Sequence, residues 1–131
     1  MSELREKIKA TIESEDVVLF MKGTPAAAYC GNSARALEAL RGVGAPVTAV
    51  DVLPDPQIRA ELSSLSNWPT IPQVFIRGEL VGGADIVEEL AETGALRAKL
   101  DEALGTDWPN AERTEHVVVV SDGGSPFRLV P

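Results

Sequence analysis

Val17-Val18-Leu19-Phe20-Met21-Lys22-Gly23-Thr24-Pro25-Ala26-Ala27-Ala28-Tyr29-Cys30-Gly31-Asn32-Ser33 is the stretch on which the fold turns. Val17–Met21 is a continuous apolar run of strand length, which suits a strand buried on both faces. Lys22-Gly23-Thr24-Pro25 ends it, and a loop of small residues leads to Cys30. Ala34, Leu37 and Leu40 then recur at helical spacing up to Gly42 and Gly44. Cys30 therefore lies where a strand has ended and a helix begins. Unpaired N–H groups and the positive end of the helix dipole favour a thiolate there, and the thiolate is both nucleophile and metal ligand. Free cysteine is also commonly buried and inert, so a structural thiol is the plain alternative. Ser33 sits where a two-cysteine redox motif would carry its resolving cysteine. A hydroxyl cannot resolve a mixed disulfide, so disulfide chemistry would need an external thiol.

Outward from this unit, the pattern alternates. Leu4, Ile8 and Ile12 mark an amphipathic helix before it. Val47–Val52 reads as a second strand, and Asp55-Pro56 opens a helix through Ile58, Leu62 and Leu65. Trp68-Pro69-Thr70-Ile71-Pro72 is a proline-bounded connector. Val74–Ile76 and Leu80-Val81 flank Arg77-Gly78-Glu79 as a tight hairpin. Gly82-Gly83 precedes a helix starting at Ala84-Asp85, and Leu96, Leu100 and Leu104 continue helical spacing after Gly94. A βαβ unit followed by a hairpin and helices predicts one mixed sheet with helices on both faces.

The chain has 131 residues, enough for one domain with a proper core. Its single cysteine forbids an internal disulfide and suits the cytoplasm or another reducing compartment. A net charge of −8 argues against a phosphate-backbone binder, so no nucleic-acid partner is expected. No apolar run approaches transmembrane length, and the charged Met1–Lys7 does not suit a secretory leader, so no membrane partner is expected.

Several linked motifs carry a resemblance. Lys22 follows the first strand, and Cys30-Gly31-x-Ser33 opens the next helix. Asp55-Pro56-x-Ile58-Arg59 begins the third. Trp68-Pro69-Thr70-Ile71-Pro72-Gln73 precedes the hairpin, and Gly82-Gly83-x-Asp85-Ile86 follows it. In this order the chain resembles a monothiol glutaredoxin of the Cys-Gly-Phe-Ser type over about residues 3–104. The resemblance implies a thioredoxin-like three-layer α/β fold, with a mixed four-stranded sheet flanked by helices. Residues 1–104 would be the glutaredoxin domain and 105–131 a C-terminal β-rich extension. In that extension Val117–Val120 and Phe127–Val130 read as strands around a turn at Asp122-Gly123-Gly124, paired either as their own β-hairpin or with another chain. Its valines, left exposed, would invite edge pairing. The lone His116 reads as a surface residue rather than a metal ligand.

The resemblance also implies a glutathione site. Lys22 and Arg59 would hold the glycine carboxylate; otherwise they are solvated surface charges. Thr70, Ile71 and Pro72 would present backbone to the glutathione cysteine, with Pro72 cis in the family; otherwise they form an ordinary turn. Gly83 allows close backbone approach, and Ala84 with Asp85 would hold the γ-glutamyl end, although Asp85 could equally be a plain N-cap. What the family implies beyond this is a 2Fe–2S cluster shared in a homodimer. Cys30 of each chain and one glutathione per chain would supply the four thiolates. BolA-like proteins and apo iron–sulfur proteins are the implied partners. The rival readings are a glutathione-dependent oxidoreductase that deglutathionylates proteins through Cys30, and a glutathione-binding adaptor without cluster. Asn32 stands where the family has Phe, Ala84 where many members have a second cysteine, and Ala26–Ala28 where bulkier residues are usual.

Overall fold

The computed structural model describes residues 3–106, 108, 115–120 and 127–130. Strand β1 (Val17–Met21) is buried along its whole length, as its unbroken apolar run requires. Val17, Leu19 and Met21 face one core, and Val18 and Phe20 face the other. The strand alternates sides in this way because successive side chains point to opposite faces of a sheet. On the first face the core is completed by Ala36, Leu37 and Leu40 of α2 (Gly31–Gly42), Val87 of α4 (Ala84–Thr93), and Leu96 and Leu100 of α5 (Ala95–Leu104). On the second face lie Leu4, Ile8 and Ile12 of α1 (Glu3–Ser14) and Ile58 and Leu62 of α3 (Pro56–Ser66). Phe20 and Phe75 meet edge to face there, with ring centroids 5.7 Å apart.

Strand β4 (Val47–Asp51) runs parallel to β1 on one side. The hairpin of β5 (Gln73–Ile76) and β6 (Glu79–Gly82) lies antiparallel on the other. Arg77 and Gly78 both take positive φ, 49° and 83°, the backbone of a two-residue hairpin turn whose twist matches its strands. This gives the thioredoxin-like arrangement of a mixed sheet between helices. Asp55 caps α3 by accepting from the Gln57 N–H, with Pro56 at the first helical position.

Two features differ from the reading of the sequence. Gly23–Thr24 (β2) and Ala27–Ala28 (β3) form a small antiparallel hairpin where a loop was expected. Gly23 has φ +97°, and a Cβ there would collide with the Ala27 carbonyl oxygen and the Tyr29 ring. Only glycine permits this reversal directly after Lys22. The second feature is the extension. Strand β7 (Glu115–Val120) joins the main sheet parallel to β4, and β8 (Phe127–Val130) returns antiparallel to β7. The sheet therefore has six strands in the order β6-β5-β1-β4-β7-β8. The expected four-stranded unit is continued along its β4 edge by the β-rich extension, whose two strands pair antiparallel. The expected turn at Asp122-Gly123-Gly124 lies outside the described residues.

The extension is tied down by specific contacts. Val118 is buried in the α1/α3 core, and Trp108 in the opposite one. The Trp108 indole N–H donates to Asp101 Oδ1 at 2.7 Å, and the Arg97 guanidinium lies 5.8 Å over its ring. Arg41 of α2 grips Glu115 with two bonds, Nε to Oε2 at 2.8 Å and Nη2 to Oε1 at 2.9 Å. Residues 3–104 still contain most of both cores, so deletion of residues 105–131 is expected to leave a folded domain. Loss of the buried Trp108 and Val118 side chains should lower its stability by about 3 kcal/mol or more. Urea unfolding of the truncated and full chains measures the difference. A truncated chain without cooperative unfolding would move the domain boundary beyond Leu104.

Candidate functional site

The site forms at one end of the sheet, where β1 stops and α2 and α4 begin. Cys30 is the N-cap of α2, with extended backbone (φ −136°, ψ 129°). Ser33, one turn into the helix, is completely buried. Its hydroxyl oxygen accepts the Lys22 backbone N–H at 3.1 Å, which fastens the end of β1 to the start of α2. The Tyr29 N–H donates to the Lys22 carbonyl at 2.9 Å and closes the small hairpin between them. Two hydrogen bonds thus bring Lys22 and Cys30 together across the loop.

The thiol is half-buried and free. Its pKa is lowered, chiefly by the backbone N–H of Ser33. Partial burial opposes that effect, and the Asn32 N–H, the Ser33 hydroxyl and the Lys22 charge reinforce it. All three N–H and O–H groups belong to the first turn of α2, where helical N–H groups have no partner in the helix. The start of α2 therefore favours the thiolate form of Cys30, and the thiol is not sealed in the core.

Two residues on from Cys30, which is not itself in the wall, Asn32 helps to line a cavity of about 370 Å³ walled by Thr70, Ile71, Pro72, Gly83, Ala84 and Asp85, together with Trp68 and Ile86. Six residues read from the sequence as ligand-holding thus meet around one space. The Ile71–Pro72 bond is cis. Gln73, fully buried, donates its amide to the carbonyls of Trp68 at 2.9 Å and Thr70 at 3.1 Å, holding the connector against the sheet. At Gly83 a Cβ would come within 3.3 Å of the Pro72 carbonyl oxygen and 3.6 Å of Trp68 Nε1, so glycine lets the two walls approach. Gly83, not Asp85, is the N-cap of α4; Asp85 lies inside its first turn. Lys22 and Arg59 do not line the cavity: Lys22 is half-buried at the end of β1, and Arg59 is exposed on α3. No group of three or more metal-ligating side chains comes together among the described residues.

One residue of the site escaped the reading of the sequence. The Arg35 guanidinium donates to Asp85 Oδ1 at 2.8 Å, to Glu88 at 2.7 and 3.1 Å, and to Asn32 Oδ1 at 3.1 Å. These bonds raise the Arg35 pKa, with Glu88 the larger cause, and Arg35 in turn lowers that of Glu88. The only local signal was the three-residue spacing between Asn32 and Arg35. Its acidic partners lie about fifty residues away on α4.

A cysteine capping a helix after the first strand, a cis-proline connector ahead of the hairpin and a mixed sheet between helices define a thiol protein of the thioredoxin-like class. The glutaredoxin family model matches residues 17–81. Glutaredoxin 4 of Escherichia coli (strain K12) is 44% identical over 115 residues, which cover 86% of this chain and all of the relative. Monothiol glutaredoxin-S17 of Arabidopsis thaliana is 46% identical over 99 residues, covering 76% of this chain. The chain spans 20% of the length of that relative and of monothiol glutaredoxin-S11 of Oryza sativa subsp. japonica. A monomeric truncated mutant of Trypanosoma brucei 1-C-Grx1 superposes with a TM-score of 0.70 at 43% identity, covering 78% of this chain and 93% of that one. The buckwheat glutaredoxin–glutathione complex gives 0.67 at 28% identity, covering 76% and 89%. The chain belongs to the monothiol glutaredoxin family.

The lowered Cys30 pKa has a direct test. Thiolate is the reactive form, so the alkylation rate should reach half its plateau at lower pH than for an ordinary cysteine, whose pKa is about 8.5. Ser33→Ala removes the hydroxyl and keeps the backbone N–H, so its midpoint should rise partway toward that value. Iodoacetamide rates measured across the pH range check both. A wild-type midpoint at or above the ordinary value would contradict the lowered Cys30 pKa.

Proposed function

We propose that this chain binds glutathione in the cavity beside Cys30 and, as a pair of chains, carries a 2Fe–2S cluster as cargo for iron–sulfur acceptor proteins. The observation that carries this reading is the half-buried Cys30 thiol, its pKa lowered by the first turn of α2, two residues from Asn32 in the wall of the cavity formed with Thr70–Pro72 and Gly83–Asp85. A peptide ligand lying along the connector could pair with the Ile71 backbone in the manner of an added strand. Its anionic end would meet the first N–H groups of α4, and Asp85 would meet its ammonium. Lys22 and Arg59 would take the carboxylate at the other end. The relative bound to glutathione supports the ligand class.

The donor set suits the cargo. Cys30 is the only cysteine in the chain, so each chain can offer one thiolate. Two chains with two glutathiones give the four that such a cluster takes. Glutathione exchanges freely, so the cluster would be easy to release to an acceptor. Cys30 and its neighbour Asn32 are at the surface, half-buried and exposed respectively, where a second chain can approach. BolA-like proteins and apo iron–sulfur proteins are the partners this reading calls for.

The lowered Cys30 pKa also favours a second reading, glutathione-dependent disulfide reduction. Cys30 thiolate would attack the glutathione sulfur of a glutathionylated protein, forming a Cys30–glutathione disulfide and releasing the protein thiolate. A second glutathione thiolate would then attack that disulfide, giving glutathione disulfide and regenerating Cys30. Ser33 takes no part as a resolving group.

Anaerobic reconstitution with iron, sulfide and glutathione should give a coloured dimer from the wild type and from Ser33→Ala, but not from Cys30→Ser. An equally coloured Cys30→Ser protein would overturn the carrier reading. A colourless wild type with rapid glutathione-coupled reduction would favour the oxidoreductase. Lys22→Ala and Arg59→Ala should each weaken glutathione binding about tenfold, the size of one charge-assisted hydrogen bond. Titration calorimetry checks this, and unchanged affinity in both variants would remove them from the site.

A further inference from the structure

Asn32 is exposed at the second residue of α2 and forms part of the cavity wall with Asp85. Its side-chain amide has one accepting end and one donating end. Oδ1 is committed, accepting from Arg35 Nη1 at 3.1 Å. That leaves Nδ2 as the uncommitted end of the amide, with no acceptor among the described residues. The same guanidinium donates to Asp85 Oδ1 at 2.8 Å and leaves Oδ2 open. Glu88 anchors Arg35 from α4 with two further bonds, at 2.7 and 3.1 Å. One guanidinium therefore fixes two ligand-ready groups on a single wall, an amide donor and a carboxylate oxygen.

A donor beside an acceptor of opposite electrostatic sign complements a ligand end that carries an anion and a cation on neighbouring atoms. A zwitterionic α-amino acid end has that form. Resting on the glutathione reading above, we infer that Asn32 donates from Nδ2 to the α-carboxylate of the γ-glutamyl residue while Asp85 Oδ2 accepts from its ammonium. Arg35 is the positioning residue that sets both. A phenylalanine at position 32 could offer no such donor, and Arg35 would lose one of its acceptors. Asn32 is thus a recognition element for the ligand and not merely a gap in an apolar cover.

The test compares two ligands that differ only in the γ-glutamyl residue. Reduced full-length protein is titrated with glutathione and with cysteinylglycine, followed by backbone amide chemical shifts. Asn32→Leu should lower glutathione affinity about tenfold and leave cysteinylglycine affinity unchanged. Arg35→Lys keeps the charge but cannot fork between Asn32 and Asp85, so it should show the same selective loss. Glutathione binding of Asn32→Leu equal to wild type would overturn the inference while the glutathione site stands. Equal loss of both ligands would do the same, since it would mark a structural effect. A wild type that binds neither ligand would overturn the glutathione reading itself, and this inference with it.

Discussion

Burying Val17–Met21 on both faces is the constraint from which the architecture follows. The strand has no polar side chain to give to solvent. It therefore needs a helical layer on each side and a paired strand along each edge. The helices α2, α4 and α5 meet one requirement, α1 and α3 the other, and β4 and β5 satisfy the backbone. Once β1 is central, its end is the place where the flanking elements stop covering the sheet. The chain must leave there as backbone with free hydrogen-bonding groups. Ligand sites in α/β folds collect at such places because rigid elements converge while their terminal N–H groups stay unpaired.

At that end, Ser33 sets the geometry. A buried hydroxyl must be bonded, and the Lys22 N–H satisfies it. The same residue lowers the Cys30 pKa through its N–H and its hydroxyl. Structural satisfaction and thiol activation are thus one arrangement. A cysteine at position 33 would be a weaker acceptor for Lys22 as well as a second thiol, so the one serine both fastens strand to helix and leaves Cys30 without a second thiol in its motif.

How much was legible in the sequence depends on how local each signal is. The β1 run, the four-residue rhythm of Leu4, Ile8 and Ile12, the Asp55-Pro56 helix start and the Arg77-Gly78 turn all declare themselves within a few residues, and the structure forms each one. That residues 70–72 and 83–85 come together was also legible, because motif order points to both segments, and they wall one cavity. The β2–β3 hairpin was not legible, since two-residue strands leave no periodicity to read. Arg35 was not, because nothing local links a helix-face arginine to acids fifty residues on. The valine run promised a strand, but its partner could not be named. A parallel neighbour is fixed by the tertiary packing of Val118 and by the Arg41 grip on Glu115, not by a turn.

That parallel pairing has a consequence for how the chain is made. Val47 lies opposite Glu115, 68 residues later in the chain. Contacts over such separations form late, because the entropy of closing the intervening chain comes before any gain. During synthesis at about 5–20 residues per second, β4 is complete several seconds before β7 exists. Through that interval the edge of β4 that β7 will cover has no partner strand. The strand edge left open longest during synthesis is thus one that the finished sheet covers.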